Sequence, residues 1–410
     1  MSRKWLKKEG EEWVKEGIVT EGQLRHILER YPAKTIQGQL LPILAAVLIG
    51  LAILSYTASN WNGIPPLVRL SILIAAIATF YGAGEIRTSR GHSHTGASLT
   101  GLGVICFGAA MILVGQMFHL TAFDARLFIL WGLSALGALY LYRHPALFFL
   151  PFLILTASQI YSVATFDRFS WITAVLFTLG LAWDAQRRGG SLYRWLTGVG
   201  IVFQAMMGVV AAEISPLWMV GVAAAVYTLT EVFQIPGWAF PLRVPAMAVG
   251  FISTLLWFYQ SPQEVVKYDL FALPDWRWTA PIFLILFSLS LWRKKSEGQF
   301  SDTVGWILFL PWYFLTQAMP EGIHTVIYLL VLYTFTVHTL MQGFKKESRL
   351  RINTGILLFL LVTLNAYFNL AWDFLPKSLF FFIGGLLLFG LNFLLQRRKR
   401  VSFSQGGEAR

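Results

Sequence analysis

Six polar side chains near the ends of predicted apolar segments could bind an anionic group or move a proton. They are Asn60, Arg69, Gln116, His119, Asp124 and Arg126, with Trp61 next to Asn60. An imidazole in such a set can act as a base or a ligand, and guanidinium groups can hold a phosphate or a lipid headgroup. If these groups converge at one face of a helical bundle, they predict a polar pocket.

A structural interpretation of the same residues also stays open. Asn60 and Gln116 could bridge helices through amide hydrogen bonds, and Trp61 has the residue type of an interfacial anchor. Asp124 could pair with Arg126 or cap the helix that begins there. The sequence alone does not decide between a pocket and helix packing.

A second set of candidates lies at the ends of later segments that are predicted to face the same side of the membrane. These are Glu213, Glu321, His324 and Asp373. Glu321 and His324 are three residues apart, so both could reach one metal ion or one proton from a helix face. A carboxylate at the start of a helix is also a common partner of the helix dipole.

The elements that must position these residues are long apolar segments. The chain of 410 residues is 56% hydrophobic and only 13% charged, which is typical of an integral membrane protein. We predict an all-α, polytopic bundle of about 14 transmembrane helices, since each segment is near the length that spans a bilayer. The segments are 40–58, 67–84, 97–118, 126–142, 145–163, 170–185, 193–212, 215–233, 243–260, 278–292, 303–319, 322–341, 353–370 and 378–396.

The basic residues predict the orientation of these segments. If the N-terminus is cytoplasmic, 27 of the 33 lysines and arginines fall in segments on the cytoplasmic side of the membrane. The six outside are Arg69, Arg126, Arg168, Lys267, Arg277 and Lys377. Positive residues concentrate on the cytoplasmic side of membrane proteins, so we expect both termini there. The same placement accounts for the net charge of +12 without nucleic acid as a partner.

The N-terminal segment predicts a small helical hairpin over 3–16 and 20–31. Gly17 ends its first helix, and Thr20 with Gln23 forms a capping box for the second. Such a hairpin is too small for its own core, so we expect it to pack on the membrane domain, on the lipid surface or on a protein partner. The predicted domains are therefore this hairpin (1–36), a transmembrane domain (37–396) and a basic tail (397–410).

Glycines in the third apolar segment form a stripe. On a helix, Gly101, Gly108, Gly115 and His119 lie on nearly one face, with Gln116 about 60° away at about 100° per residue. A glycine stripe predicts close approach of a neighbouring backbone. His119 would then lie at the end of that contact.

Several classes of chemistry lack support in the sequence. Cys106 is the single cysteine, so no CxxC or Cys/His zinc motif exists, and we predict no metal and no cofactor. No GxxxxGK[ST], GxSxG or HExxH motif is present. Glu85, Asp184 and Glu231 fall at predicted cytoplasmic segment ends, so a carboxylate relay at the bilayer centre is not expected.

The motifs of the first third resemble those of a known family. The hairpin, Ala58-Ser59-Asn60-Trp61, Pro66 and Arg69, then Gly115-Gln116, His119 and Trp131, are similar to the bacterial membrane proteins of domain of unknown function 2157. The resemblance covers about residues 10–145. It implies a polytopic protein of the bacterial inner membrane, and it implies no activity, ligand or catalytic residue.

Three function classes follow from the residues. The first is a transporter or flippase-like protein for a lipid-linked or amphipathic solute, and it requires a cavity that reaches toward the bilayer centre. The second is an envelope enzyme, or its subunit, that acts on a lipid-linked substrate at the outer leaflet, with His119 and Asp124 as acid and base. The third is a scaffold or sensor whose hairpin contacts a protein partner. Membrane lipids are expected partners in each case.

Overall fold

The computed structural model of the protein describes residues 3–30, 36–58, 65–119, 124–215, 217–259, 276–296, 300–310, 312 and 321–371. Every regular element in these ranges is helical. The α-helices are α1 (Arg3–Lys15), α2 (Glu21–Arg30), α3 (Ile36–Ala58), α4 (Pro66–Ser89), α5 (Ser93–Met117), α6 (Arg126–Tyr142), α7 (Phe149–Phe166), α8 (Trp171–Val175), α9 (Ala182–Arg188), α10 (Ser191–Ala211), α11 (Leu217–Phe233), α12 (Ala239–Tyr259), α13 (Trp276–Ser296), α14 (Glu321–Lys345) and α15 (Arg349–Ala371). Two 3-10 helices (Pro145–Phe148 and Phe300–Leu308) and a π-helical segment (Leu176–Leu181) complete them.

The chain divides into two compact units. The first unit comprises the described parts of 1–162 and 170–184, and the second comprises those of 163–169 and 185–410. Each unit has its own packed interior.

The two N-terminal helices meet through a small contact. Thr20 and Gln23 form a capping box, in which the Gln23 N–H donates to Thr20 Oγ1 (3.3 Å) and the Thr20 N–H donates to Gln23 Oε1 (2.9 Å). Leu24 is buried directly against Gly10, where a Cβ atom would lie 2.2 Å from Leu24 Cδ1. The cytoplasmic location of these helices stays a prediction.

Helix α5 forms the centre of the first unit. Val104, Cys106 and Ala109 on this helix have no exposed surface, and α5 packs against α3, α4 and α6. Glycines bring the backbones of α4 and α5 together, because a Cβ atom on Gly96 would lie only 2.9 Å from the Thr88 backbone nitrogen. Helix α5 is therefore closely packed against its neighbours along most of its length.

Polar side chains at the N-terminal end of α5 form hydrogen bonds with one another and with nearby backbone. His144 Nδ1 accepts from the Ala146 N–H (3.3 Å), so its Nε2 carries the proton and donates to His94 Nδ1 (3.1 Å). Nearby, Tyr142 Oη donates to Glu85 Oε2 (2.8 Å). These contacts join α4, α5 and the turn after α6.

The second unit is organised around its 3-10 helix. Trp306 from this helix packs with Tyr227 of α11, Ala246 of α12 and Phe283 of α13 in one core cluster. Leu308 enters a second cluster with residues of α12, α14 and α15. The segment predicted as a span over 303–319 thus begins as a buried 3-10 helix, because its aromatic residues fill the space between the surrounding helices.

Several helices are suited to a membrane. Within the described ranges, seven helices are long and apolar enough to cross a bilayer. They are Leu67–Ser89, Ser93–Met117, Pro145–Phe166, Ser191–Ala211, Ala239–Leu256, Ile323–Lys345 and Arg349–Tyr367, and Pro42–Ile53, Arg126–Tyr142 and Leu217–Phe233 are shorter apolar helices. The predicted total of about 14 is not confirmed, and its last segment (378–396) lies outside the described residues.

The exposed surfaces of these helices are also apolar. Leu67 and Ile74 on α4 are 73% and 56% exposed, and Leu284 on α13 is 66% exposed. On a protein in water, apolar patches of this kind mark a surface that contacts a membrane or a partner. In a bilayer, such surfaces face the lipid tails.

Candidate functional site

A cavity of about 720 Å³ lies at the C-terminal end of α5, within the first unit. We call it the α5–α6 cavity. It is lined by Gly108, Met111, Ile112, Gly115, Gln116 and His119, by Asp124, Leu127, Phe128 and Trp131, and by Tyr161 of α7. Three of the predicted polar residues, Gln116, His119 and Asp124, therefore face one space.

The chain leaves α5 abruptly at the edge of this cavity. The Phe118 N–H makes the last helical hydrogen bond, to the Val114 carbonyl (3.1 Å), and His119 then adopts a left-handed conformation with φ of 50°. Histidine is among the few residues other than glycine that tolerate this region. The turn leaves the imidazole of His119 exposed beside the cavity instead of continuing the helix face that the sequence predicts.

The start of α6 supplies the opposite edge. Asp124 Oδ1 accepts from the Arg126 N–H (2.9 Å), and Asp124 Oδ2 forms an ion pair with Arg126 Nε (2.7 Å). The first contact satisfies a backbone donor of the helix N-terminus, where a carboxylate also interacts favourably with the helix dipole. The Arg126 side chain is 85% exposed, so most of its guanidinium faces outward.

Aromatic side chains form the inner wall. Trp131 Nε1 donates to the Val104 carbonyl (2.8 Å), and its ring lies where a Cβ atom on Gly108 would come within 2.1 Å of it. Phe128 contacts both Trp131 and Tyr161, with ring centroids 5.9 and 5.0 Å away. The lack of a side chain at Gly108 thus admits a tryptophan ring.

The glycine stripe on α5 does not serve one purpose. Gly101 packs on side chains of the segment after α6, where a Cβ atom would lie 3.4 Å from Leu150. Gly108 accommodates Trp131, whereas a Cβ atom on Gly115 would meet nothing within 4 Å. The predicted contact with a neighbouring backbone is therefore wrong, since the nearest groups at Gly101 and Gly108 are side chains and Gly115 faces the cavity.

The remaining predicted residues of the polar cluster have different outcomes. Arg126 reaches the cavity edge only through its ion pair with Asp124. Arg69 on α4 is partly buried and does not line the cavity. Asn60 and Trp61 lie outside the described residues.

The second set of candidates is described only in part, so the predicted pairing of Glu321 with His324 stays a prediction. Glu213 is exposed in a left-handed turn (φ 52°) after α10. His324 is buried and packs on the Tyr328 ring at 4.6 Å, while the side chain of Glu321, at the first position of α14, lies outside the description. Asp373 also lies outside it. No group of three or more His, Cys, Asp or Glu residues within the described ranges could hold a metal ion.

The apolar half of the cavity was not predicted from the sequence. Met111, Ile112, Leu127 and Phe128 are ordinary residues for a membrane helix, and no motif distinguishes them. Their spacing does carry a signal, because Gly108, Met111, Ile112 and Gly115 follow the i, i+3, i+4, i+7 pattern of one helix face.

The fold and this cavity define a membrane protein with several apolar helices. Residues 11–148 match the model of a family described as a predicted membrane protein (DUF2157). This match confirms, over that segment, the resemblance that the N-terminal motifs indicate. No curated protein and no solved structure matches the chain.

Proposed function

We propose that this protein binds a lipid-like, amphipathic solute in the α5–α6 cavity and moves it across the bacterial inner membrane. The observation that carries the proposal is the composition of the cavity wall. Its inner part is aromatic and aliphatic, and Gln116, His119 and Asp124 are grouped at the end where α5 stops. Such a wall matches a ligand with an apolar chain and a polar headgroup.

The position of the cavity along α5 supports transport. From Gly108 to Met117 the helix rises roughly 14 Å at about 1.5 Å per residue. This is close to half of the roughly 30 Å hydrocarbon core of a bilayer. An acyl or isoprenoid chain in the cavity would therefore extend toward the bilayer centre while its headgroup stays at the interface.

The polar end suits a phosphate-bearing headgroup. His119 and Gln116 can each donate a hydrogen bond, and Arg126 keeps its terminal nitrogens after its Nε pairs with Asp124. Guanidinium groups bind phosphates with good geometry. The Asp124 carboxylate offsets part of this positive charge, which suits a solute that must also be released.

The enzyme alternative has less support. In that alternative His119 and Asp124 act as acid and base, so both side chains must be available to the substrate. Both oxygens of Asp124 already have partners in Arg126, one in its backbone N–H and one in its Nε. A binding and transport role needs no such base.

The proposal includes the predicted topology. We place about 14 helices in the membrane with both termini in the cytoplasm, because the basic residues then concentrate on that side. The polar end of the α5–α6 cavity would then face the outer leaflet.

The test fills the cavity without disturbing helix packing. Gly115→Trp should place an indole in the open space beside Gly115, and Gly137→Trp is the matched control, since a Cβ atom there also meets nothing within 4 Å and Gly137 does not line the cavity. Full-length protein is reconstituted in phosphatidylethanolamine and phosphatidylglycerol vesicles that contain NBD-labelled phosphatidylglycerol. Dithionite then measures transfer of the probe between leaflets.

We expect transfer with the wild-type protein and with Gly137→Trp, and at least a tenfold slower rate with Gly115→Trp. Equal rates for the two tryptophan variants would contradict a role for the cavity. Transfer no faster than in protein-free vesicles would reject movement of this lipid class.

A further inference from the structure

A buried ion pair lies in the second unit, far in sequence from the α5–α6 cavity. Lys294 of α13 approaches Glu231 of α11 with 3.2 Å between Nζ and Oε1. The two side chains are only 4% and 3% exposed. Because charged groups are costly to remove from water, a pair at this depth in a membrane protein is a candidate for function as well as for structure.

Hydrogen bonds complete the pair. The Lys294 ammonium also donates to Tyr227 Oη (3.1 Å) and to the Asp302 backbone carbonyl (3.0 Å), so all three of its N–H groups have partners. Ser290 Oγ donates to the second oxygen of Glu231. Helices α11 and α13 and the 3-10 helix are thereby tied to one charged centre.

A chain of charged groups leads from this centre toward the surface. Asp302, whose carbonyl accepts from Lys294, uses its carboxylate to pair with Lys346 (3.3 Å). The side chains of Lys346 and Asp302 are 43% and 29% exposed, which contrasts with the burial of Glu231 and Lys294. The ionisable side chains here therefore range from buried Glu231 and Lys294 to the partly exposed Asp302 and Lys346.

Three buried polar groups near the pair, in the described part of the chain, lack a hydrogen-bond partner. Within the described residues, Trp306 Nε1, Thr303 Oγ1 and Arg243 Nε are buried and have no hydrogen-bond partner. Trp306 contacts Tyr227 edge to face, and Thr303 follows Asp302 in the chain. Buried polar atoms without protein partners are usually satisfied by internal water, and water can carry a proton between carboxylates.

From this arrangement we infer that Glu231 is a proton-binding site, supplied from the surface through Asp302. In the proposed step, a proton from solvent passes by way of the Asp302 carboxylate and water to a carboxylate oxygen of Glu231. Glu231 becomes a neutral acid, and no bond other than those to the proton forms or breaks. The Lys294 ammonium then keeps its contacts with Tyr227 and Asp302 but loses its counter-ion.

The surrounding charges determine what protonation does. The groups that face the pair are Tyr227 on α11, Arg243 on α12, Asp302 on the 3-10 helix, and His338 and Lys346 on α14 and the turn after it. When Glu231 is neutral, Lys294 and Arg243 are left as cations, and the Asp302 carboxylate already pairs with Lys346. Loss of the Glu231–Lys294 attraction weakens the contact between α11 and α13, and repulsion between Lys294 and Arg243 disfavours close packing of α13 with α12. Proton binding is therefore linked to a change in helix packing.

The test detects the proton directly. Infrared difference spectra of full-length protein in vesicles are recorded as the pH is lowered over the range in which the protein stays folded. We expect a carbonyl stretch of a protonated carboxylic acid that shifts in D₂O, is lost in Glu231→Gln and is kept in Glu213→Gln. Glu213 is the control because it is an exposed carboxylate at the end of a neighbouring helix.

Because Glu231→Gln leaves the buried Lys294 without its counter-ion, a second variant is needed to separate loss of folding from loss of the proton site. The neutral pair Glu231→Gln with Lys294→Gln removes both charges together and is expected to fold. If its spectra match those of the wild type at every pH, Glu231 binds no proton and the inference is wrong. No lipid probe enters this experiment, so its result is independent of the proposed function of the cavity.

Discussion

The α5–α6 cavity in the first unit and the Glu231–Lys294 pair in the second hold polar side chains in opposite ways. In the α5–α6 cavity, His119 and Gln116 are exposed beside an open space, and the Asp124–Arg126 pair lies at the surface. In the second unit, Glu231 and Lys294 are almost fully buried, and each polar atom of the pair has a protein partner.

This difference fits the ligand binding proposed for the cavity and the proton binding proposed for Glu231. Polar groups with unused hydrogen-bonding capacity can exchange water for a ligand, as His119 and Gln116 would do. A buried, fully hydrogen-bonded pair has no free donor or acceptor for a ligand. Its surroundings change only when one of its two charges changes. Removal of one charged side chain should therefore have a large effect on stability in the second unit and a small one at the cavity.

The largest effect is expected for Lys294→Met. The substitution leaves the Glu231 carboxylate buried without its counter-ion, which should lower the free energy of unfolding by about 3–5 kcal/mol. Denaturant unfolding in detergent measures this change, and Lys295→Met, at the next and exposed position, is the control. Adding Glu231→Leu to Lys294→Met should recover most of the loss. A small effect of Lys294→Met alone would mean that the pair is solvated.

An intermediate effect is expected for Gly108→Ala. The new methyl group would lie 2.1 Å from the Trp131 ring, so the ring must move and its hydrogen bond to Val104 must lengthen or break. We expect a loss of about 1–3 kcal/mol in the free energy of unfolding. Gly137→Ala on α6 meets open space and should be neutral or slightly stabilising. Equal stability of the two variants would show that Trp131 is not packed against α5.

The smallest effect is expected for Arg126→Met. This change removes the exposed ion pair with Asp124 but keeps the hydrogen bond from the backbone N–H of residue 126. Exposed pairs contribute less than about 1 kcal/mol, so unfolding in detergent should barely change. Transfer of NBD-labelled phosphatidylglycerol should nevertheless slow if the guanidinium holds the headgroup. A loss of stability as large as that of Lys294→Met would remove the contrast between the two regions.

The sequence predicts the all-helical fold of this protein for a simple physical reason. Long apolar segments bounded by charged or turn-forming residues have few alternatives to a helix, and α6 (Arg126–Tyr142) has the bounds predicted from its composition. The 3-10 helix at Phe300–Leu308 was not predicted, because a local apolar pattern does not report the tertiary packing of Trp306. The number of helices that cross the membrane is likewise not settled by apolar length alone.

The candidate site could be predicted only in part. Gln116, His119 and Asp124 were identified from residue type and from their place at segment ends, and they do line one cavity. The apolar wall could not be identified from the sequence, because Met111 and Ile112 have the residue types of ordinary lipid-facing positions. Only the tertiary position of Trp131 shows that they line a cavity. The Glu231–Lys294 pair was missed for a related reason. Each residue stands at the end of an apolar segment, where a charge is usually solvated, and only the packing of α11 on α13 brings the two together.

Cross-linking of a photoactivatable lipid gives the most direct test of the central claim, that the α5–α6 cavity holds an amphipathic ligand. The full-length protein is reconstituted with phosphatidylglycerol that carries a diazirine in its acyl chain, irradiated, digested and sequenced by mass spectrometry. We expect adducts on Met111, Ile112 and Leu127 that disappear in Gly115→Trp and persist in Gly137→Trp. Adducts confined to exposed positions such as Leu67 and Leu284, with no difference between the two variants, would contradict it.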